Sequence, residues 1–211
     1  MNEQILRLAR EHAPCYLYFY ETLAAQATAL HDAFPGFGVL FSVKANPFPP
    51  VVRALASLGI GADAASPNEV LLASSCGMKP EDIYFSAAGK SRKALETAWD
   101  RCHIIADSIG EVVRIGQLAA EKNRPCAVGI RVHPAFDMDG NAGGPSKFGI
   151  CEEDLPALRQ AIASLPVTVC GLHVHLRSQN LDNGVLARYY ESCFALALRV
   201  RDTLDCRLEY I

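Results

Sequence analysis

Short runs rich in β-branched and aromatic residues alternate with longer helical patterns along the whole chain, and this alternation constrains the fold most strongly. Runs typical of strands lie at residues 15–21, 39–46, 59–66, 82–89, 102–108, 125–134, 167–176 and 206–211. Strands separated by helices pair in parallel, because a parallel connection needs a crossover long enough to hold a helix. The pattern therefore predicts an α/β protein whose parallel sheet is covered by helices.

Length, composition and charge narrow the classes of partner. The chain has 211 residues, half of them hydrophobic, which is enough for a sizeable core in one or two domains. The net charge of −3, without a dense Lys/Arg cluster, offers nothing to attract nucleic acid or an anionic membrane. We therefore expect a small-molecule partner, and neither nucleic acid nor a membrane.

The N-terminal segment and the cysteines indicate a cellular compartment. Residues 1–21 mix charges into their apolar positions, unlike a signal peptide or a membrane span. The eight cysteines are scattered without a C-x-x-C pair, which argues against a zinc knuckle and is typical of reduced, mostly buried thiols. We predict a cytoplasmic protein.

Three predicted helices have recognisable starts. Ser66, Pro67 and Glu69 have the spacing of a capping box with proline at the first helical position. A second helix begins similarly at Ser91, and the helix from residue 151 carries acidic residues in its first turn, where the helix dipole favours them. We interpret these features as scaffolding.

Titratable residues gather at the carboxyl ends of the predicted strands, where barrel enzymes place their sites. They are Lys44, Asp63, Lys90, Asp107, Arg131, His173 and His175. The stretch 133–150, rich in Gly, Pro, Asp and Asn, follows one of these strands and exceeds the usual connection length, which is typical of functional or mobile loops. We predict a functional site on this rim.

Lys44 ends the apolar run VLFSVK just before a turn. A lysine that loses hydration favours its neutral amine, which can attack a carbonyl and hold it as a Schiff base. The alternative is an ordinary exposed lysine at the end of a strand. The residue alone does not decide between these interpretations.

His173 and His175 share one face of their strand, because strand side chains alternate. Two imidazoles on one face can share a zinc ion, but the further ligands that zinc requires are unspecified. We predict a structural role for His173. For His175, which is nearer the rim, we predict an imidazole stacked on a flat cofactor.

Seven motifs occur in the order and spacing of one known family. They are YLYFYETLAAQATALHDAFP, FSVKANP, GADAASPNEV, IYFSAAGKS, GIRVHP, SKFGI and GLHVHLRSQ. Over nearly its whole length the chain resembles the pyridoxal-phosphate-dependent decarboxylases of the alanine-racemase fold. Within that family it looks most like diaminopimelate decarboxylase, with ornithine decarboxylase and siderophore-pathway decarboxylases nearby.

The resemblance implies roles for five matched residues. Lys44 matches the lysine that forms a Schiff base with pyridoxal 5'-phosphate, and His175 matches the histidine that stacks on the cofactor ring. Asp63 matches an acidic residue close to that lysine, Arg131 an arginine beside the cofactor, and Ser178 a phosphate-contacting serine. All five are therefore predicted to bind the cofactor, and Lys44 and His175 to be catalytic.

Two further places refine this comparison. Lys147 and Phe148 match a family signature near the mouth of the site. Arg177 stands where the nearest relatives usually have glycine, and its guanidinium can bring a positive fork to a phosphate or a carboxylate. Arg177 is therefore the predicted substrate-binding residue, the alternative being an arginine that points into solvent.

The resemblance also implies an architecture, a (β/α)8 TIM-type barrel of the alanine-racemase fold followed by a β-rich domain. With 39–46 as the first barrel strand and 15–21 as a lead-in, the chain supplies seven barrel strands. We expect residues 1–211 to form a partial pyridoxal-phosphate-binding barrel domain that lacks the last strand and the C-terminal β domain. We expect a homodimer for the complete protein, and cofactor binding with weak or no turnover for this chain alone.

The implied activity is that of a pyridoxal-phosphate-dependent carboxy-lyase. Its substrate would be a basic or diamino acid that loses its α-carboxylate, as in diaminopimelate decarboxylase. The alternatives are a siderophore-pathway decarboxylase of the same family, a racemase on the same fold and a non-catalytic cofactor-binding barrel. The SKFGI and HxHxxSQ patterns favour the decarboxylases.

Overall fold

The computed structural model describes residues 3–211 and contains a parallel sheet flanked by helices. The strands are β1 (Leu40–Ser42), β2 (Gly61–Ala64), β3 (Ile83–Phe85), β4 (His103–Ala106), β5 (Cys126–His133), β6 (Ile150–Cys151) and β7 (Val167–His173). The α-helices are α1 (Glu3–His12), α2 (Tyr20–Ala33), α3 (Pro49–Ser57), α4 (Pro67–Ser75), α5 (Arg92–Ala98), α6 (Ile109–Glu121), α7 (Leu155–Ile162) and α8 (Asn183–Leu204).

The strands follow one another across the sheet in the manner of a (β/α) barrel. β1 to β5 pair in chain order, every pair is parallel, and β7 continues the sheet beside β5. The short β6 pairs with the end of β5, and Tyr210 forms a parallel bridge to Gly171 in β7. The predicted parallel α/β architecture is therefore confirmed.

Three details differ from the sequence prediction. The lead-in run at residues 15–21 is not a strand, because residues 13–19 have no regular structure and α2 begins at Tyr20. Its aromatic side chains are exposed, and no strand lies beside it in the part of the chain described. The run 206–211 contributes only its bridge at Tyr210, and β6 begins at Ile150, the last residue of the stretch 133–150, where no strand was predicted.

The two faces of the sheet differ in chemistry. Side chains on the outer face pack under the helices and are almost fully buried, among them Ile83, Phe85, Ile104, Val128, Ile130 and Leu172. Strand alternation and register place a second set on the inner face, which are Ser42, Asp63, Tyr84, His103, Arg131 and His173. The apolar outer face therefore holds the core, and the inner face carries the polar groups.

An aromatic cluster occupies part of the inner face. The ring of Tyr84 stacks on His103 at a centroid distance of 4.7 Å, and the ring of Tyr210 meets both nearly edge-on at 5.1 Å. Tyr210 fits there because Gly129 and Gly171, neighbours across β5 and β7, lack side chains at this position. The segment after α8 is thereby packed against the sheet.

Candidate cofactor site

Lys44 lies directly after β1, in a single 3-10 turn at Val43–Ala45. The turn ends where Asn46 adopts an extended conformation before Pro47, as residues preceding proline do. The Asn46 side chain accepts a hydrogen bond from the Phe48 backbone N–H at 3.2 Å, which fixes the following turn. The Lys44 side chain is exposed and makes no hydrogen bond or ion pair with residues 3–211, so its amine is available to a ligand.

The Asp63 carboxylate is held by hydroxyl groups from both neighbouring strands. Ser42 at the end of β1 donates to Oδ2 at 3.2 Å, and Ser86 just after β3 donates to Oδ1. Three adjacent strand ends therefore fix one half-buried carboxylate on the inner face. Sequence reasoning assigned no role to these serines; the available signal was that each ends a strand at the level of Asp63.

The two histidines of the HVH motif have different surroundings. His173 is half-buried, and its Nδ1 is buried without a hydrogen-bond partner among the described residues. Burial, followed by the charge of Arg131, lowers the pKa of His173 from 6.5 to about 4, so its ring is neutral at pH 7. His173 therefore keeps a buried ring nitrogen that has no hydrogen-bond partner among the described residues.

His175 is exposed, and its Nε2 lies 3.4 Å from the Ser178 hydroxyl. The ring is still partly withdrawn from water, which lowers the pKa of His175, with smaller contributions in the same direction from Arg131 and Lys44. Lys44 directly follows β1 and His175 closely follows β7, both at the carboxyl ends of parallel strands. The structure thus brings Lys44, His175 and Ser178 to one end of the sheet.

Arg131 contacts both the rim residue Asp107 and Phe148 of the SKFGI motif. Its Nη1 lies 3.4 Å from Asp107 Oδ1, and its guanidinium lies 4.9 Å from the centre of the Phe148 ring. The Lys147 ammonium contacts the same ring at 5.0 Å. Phe148 is therefore a platform beside Arg131, which gives the motif a location that the sequence could only place near the mouth of the site.

Lys90, predicted on the rim, and Arg177, predicted to bind substrate, have contrasting surroundings. Lys90 is not on the open rim: it is buried and bonds to backbone carbonyls and to Glu111, because its loop folds back against β4 and α6. Arg177 is exposed, and no residue of the described chain forms a hydrogen bond or ion pair with it. Arg177 is thus next to Ser178 in sequence with its guanidinium unpaired.

The remaining rim groups suit an anionic ligand that carries a carbonyl. Lys44 and Arg131 supply positive charge, His173 and His175 supply imidazoles, and Asp63 and Asp107 supply carboxylates, the second of which pairs with Arg131. No group of three or more His, Cys, Asp or Glu side chains in the described chain is arranged to hold a metal ion. Fold and site together define a parallel α/β barrel whose rim carries a lysine, an arginine, two carboxylates and two imidazoles.

Comparison with known proteins identifies the family. Residues 20–204 match the family described as pyridoxal-dependent decarboxylase, pyridoxal binding domain. The match covers most of the chain, so the chain belongs to the pyridoxal-dependent decarboxylases. The predicted family, the barrel fold and pyridoxal phosphate as the family's cofactor are confirmed.

Relatives and solved structures agree with this family. Diaminopimelate decarboxylase of Zymomonas mobilis is 32% identical over 207 residues, which are 89% of this chain and 49% of that protein. L-Glutamyl-[BtrI acyl-carrier protein] decarboxylase of Niallia circulans is 34% identical over 82% of this chain and 42% of that protein. The structure of diaminopimelate decarboxylase from Helicobacter pylori complexed with L-lysine has a TM-score of 0.84 at 25% identity, covering 99% of this chain and 55% of that chain.

The chain spans about half the length of the curated relatives it matches. The rim residues that are present fit pyridoxal phosphate: the Lys44 amine is unpaired, as an aldehyde requires, and the buried Nδ1 of His173 lacks a partner. The positive charge of Arg131 on the same face suits an anionic group. Within residues 3–211, no helix has the length and apolar character needed to span a membrane.

Proposed function

We propose that residues 1–211 form the cofactor-binding barrel domain of a pyridoxal-phosphate-dependent carboxy-lyase. The substrate class proposed is a basic or diamino acid, which loses its α-carboxylate. The observation that carries the proposal is the unpaired Lys44 amine at the end of β1, in a chain that belongs to the decarboxylase family. Relatives named diaminopimelate decarboxylase, and an L-lysine complex of one such enzyme, support the substrate class.

Each rim residue has a proposed task. Lys44 holds the aldehyde carbon of the cofactor through its Nζ, and His175 packs its ring against the cofactor ring. Arg131 and Ser178 bind the anionic groups of the cofactor, and Asp63, held by two serine hydroxyls, offsets the positive charge of the rim. When bound, pyridoxal phosphate supplies a conjugated ring that accepts the electron pair left by departing carbon dioxide.

Arg177 is the proposed substrate-binding residue. Its guanidinium is exposed and unpaired within residues 3–211, and it adjoins Ser178 in sequence. The planar guanidinium of an arginine can bind a carboxylate through two parallel hydrogen bonds.

We also propose that the whole protein is a homodimer in the cytoplasm. Sedimentation of the full-length protein would test the dimer.

Lys44 should carry the cofactor after borohydride reduction. The chain is incubated with pyridoxal phosphate, reduced and digested, and the peptides are weighed by mass spectrometry. We expect the pyridoxyl group on Lys44 in the wild type, no label at this position in Lys44→Arg, and an unchanged label in the matched control Lys147→Arg. A label on Lys147 with an unmodified Lys44 would refute the assignment.

The reaction class is tested with the whole protein. Carbon dioxide release is measured with diaminopimelate, ornithine, lysine and a citryl-amine conjugate, alongside exchange of the α-hydrogen in deuterated water. We expect carbon dioxide release from a basic or diamino acid. Exchange without release would identify a racemase, and bound cofactor without either reaction would identify a carrier.

A further inference from the structure

Lys90 and Glu111 form a buried ion pair that has no task in the proposed function. Their side chains are 0% and 1% exposed, and Lys90 Nζ lies 3.3 Å from Glu111 Oε2. A ligand on the open rim cannot reach groups so enclosed. Any effect of this pair on the site must therefore pass through the residues that it touches.

Lys90 fastens the loop after β3 to β4. Its Nζ donates hydrogen bonds to the backbone carbonyls of Ala87 and Ile105, and its backbone N–H donates to Glu111 Oε1 at 2.9 Å. Ala87 directly follows Ser86, whose hydroxyl donates to the Asp63 carboxylate. The hydrogen bonds of Lys90 therefore reach the residue next to Ser86, and through Ser86 they reach Asp63.

Glu111 fastens the end of β4. It lies in the first turn of α6, where the Ser108 hydroxyl caps the helix by accepting from the Glu111 N–H at 3.2 Å. Its Oε2 accepts the backbone N–H of Asp107 at 2.8 Å, and Asp107 Oδ1 pairs with Arg131. The contacts of Glu111 therefore reach Arg131 through Asp107.

The physical character of the pair suits positioning better than stabilisation. Taking two charges out of water costs about as much free energy as their attraction returns, so a buried ion pair adds little net stability. Burial lowers the pKa of Lys90, and the nearby Glu111 opposes that shift. The pair instead fixes the positions of specific backbone groups, because each of its donors and acceptors forms a hydrogen bond with one of them.

We propose that the Lys90–Glu111 pair is a positioning device that holds Asp107, and through it Arg131, in place on the cofactor rim. Its effect on cofactor binding rests on the proposed function. Its effect on Arg131 does not, because that contact chain exists in the protein without cofactor. Lys90 and Glu111 are thus positioning residues rather than catalytic ones.

The first test uses the chain without cofactor. The variant Lys90→Met/Glu111→Gln replaces the charges with neutral groups of similar size, and the rate at which phenylglyoxal modifies Arg131 is followed by peptide mass. We expect that rate to rise about tenfold as Asp107 loses its anchor. The control Arg92→Gln/Glu121→Gln removes an exposed ion pair elsewhere and should leave the rate unchanged.

The second test measures pyridoxal phosphate affinity by absorbance titration, together with the thermal midpoint. We expect the affinity of Lys90→Met/Glu111→Gln to fall about tenfold while the midpoint stays within a few degrees. In an Arg131→Lys background the same double substitution should cause little further loss, because both changes act on one contact. A purely structural pair would lower the midpoint and leave this coupling absent.

An unchanged Arg131 modification rate overturns the inference, whatever happens to cofactor affinity. A wild-type chain that binds no cofactor contradicts the proposed function, whereas faster Arg131 modification in the variant still supports the positioning role. If Lys90→Met/Glu111→Gln does not fold, Glu111→Asp is used, which keeps the charge and shortens the reach. The same rise in Arg131 modification is expected there, and its absence counts against the proposal.

Discussion

Two histidines separated by a single residue differ in protonation because their surroundings differ. His173 lies half-buried on the inner face of β7, whereas His175 lies beyond the strand and is exposed. Withdrawal from water disfavours the charged ring, so the deeper histidine has the pKa of about 4. The predicted division of labour, with His175 against the cofactor, stays a prediction.

The lowered pKa of His173 makes stability depend on pH. Between pH 4 and 6.5 the unfolded chain binds a proton at this site and the folded chain does not, so stability is lost as pH falls through this window. Going from pH 7 to pH 5, we expect this site to cost about 2 kcal/mol of the free energy of unfolding. Urea unfolding is measured at both pH values for the wild type and for His173→Asn. The variant should lose less stability between pH 7 and pH 5, by the amount that His173 contributes.

The control for this prediction is His175→Asn. Its ring is more exposed than that of His173, so its contribution to the pH-dependent loss should be smaller. Equal pH dependence in His173→Asn and the wild type would show that His173 is charged or hydrated in the folded chain.

At the scale of elements, the helix starts follow their local sequence closely. Ser66 accepts the N–H of Glu69, as the capping box predicts, and Ser91 caps α5 in the same way through the N–H of Ala94. The Glu69 carboxylate accepts the Ser66 hydroxyl and the Ala65 N–H, where a capping box would use the Ser66 N–H. The strands are less local. β6 and the bridge at Tyr210 exist only because β5 and β7 lie beside them.

Removal of the α4 cap should cost stability. Ser66→Ala takes away an acceptor for the first-turn N–H groups, and we expect the free energy of unfolding to fall by about 1 kcal/mol in denaturant titration. Ser75→Ala is the matched control at the other end of α4, where the exposed hydroxyl bonds only to the Leu72 carbonyl. A loss as large in Ser75→Ala would mean that the effect is not one of capping.

At the scale of the whole molecule, the sheet separates the hydrophobic core on its outer face from the polar residues of the candidate site on its inner face. The outer face is apolar and packs under the helices, and the inner face is polar at the carboxyl ends of the strands and aromatic below them. Gly171 is critical to this inner packing, because a Cβ there would run into the Tyr210 ring. The rim and the packing beneath it are therefore built from the same strands.

Gly171→Ala should disturb that packing. Because the added methyl group overpacks the inner face, we expect the free energy of unfolding to fall by about 1–3 kcal/mol, measured in urea. Gly110→Ala is the control: in the first turn of α6 the nearest neighbour of its Cβ would be an Arg114 nitrogen at 3.7 Å, and alanine favours the helix. If Gly171→Ala is as stable as the wild type, Tyr210 does not lie against Gly171.

The sequence by itself determined the parallel α/β class, the order of the strands β1 to β5 and β7, and the helix starts at Ser66 and Ser91. Each of these depends on residues that are neighbours along the chain, since periodicity, capping and turn preferences act over a few residues. The ordered motifs also determined the family, and with it Lys44 as the candidate lysine.

Only the tertiary structure decided which groups meet. Asp63 accepts a hydrogen bond from Ser86, which is 23 residues away in sequence. Lys90 lies off the rim because it contacts Glu111, 21 residues further along the chain. The run at 15–21 has the composition of a strand but no neighbouring strand to pair with in the described chain. Such contacts arise from strand register and helix docking, which bring distant residues together, so no local pattern could have specified them.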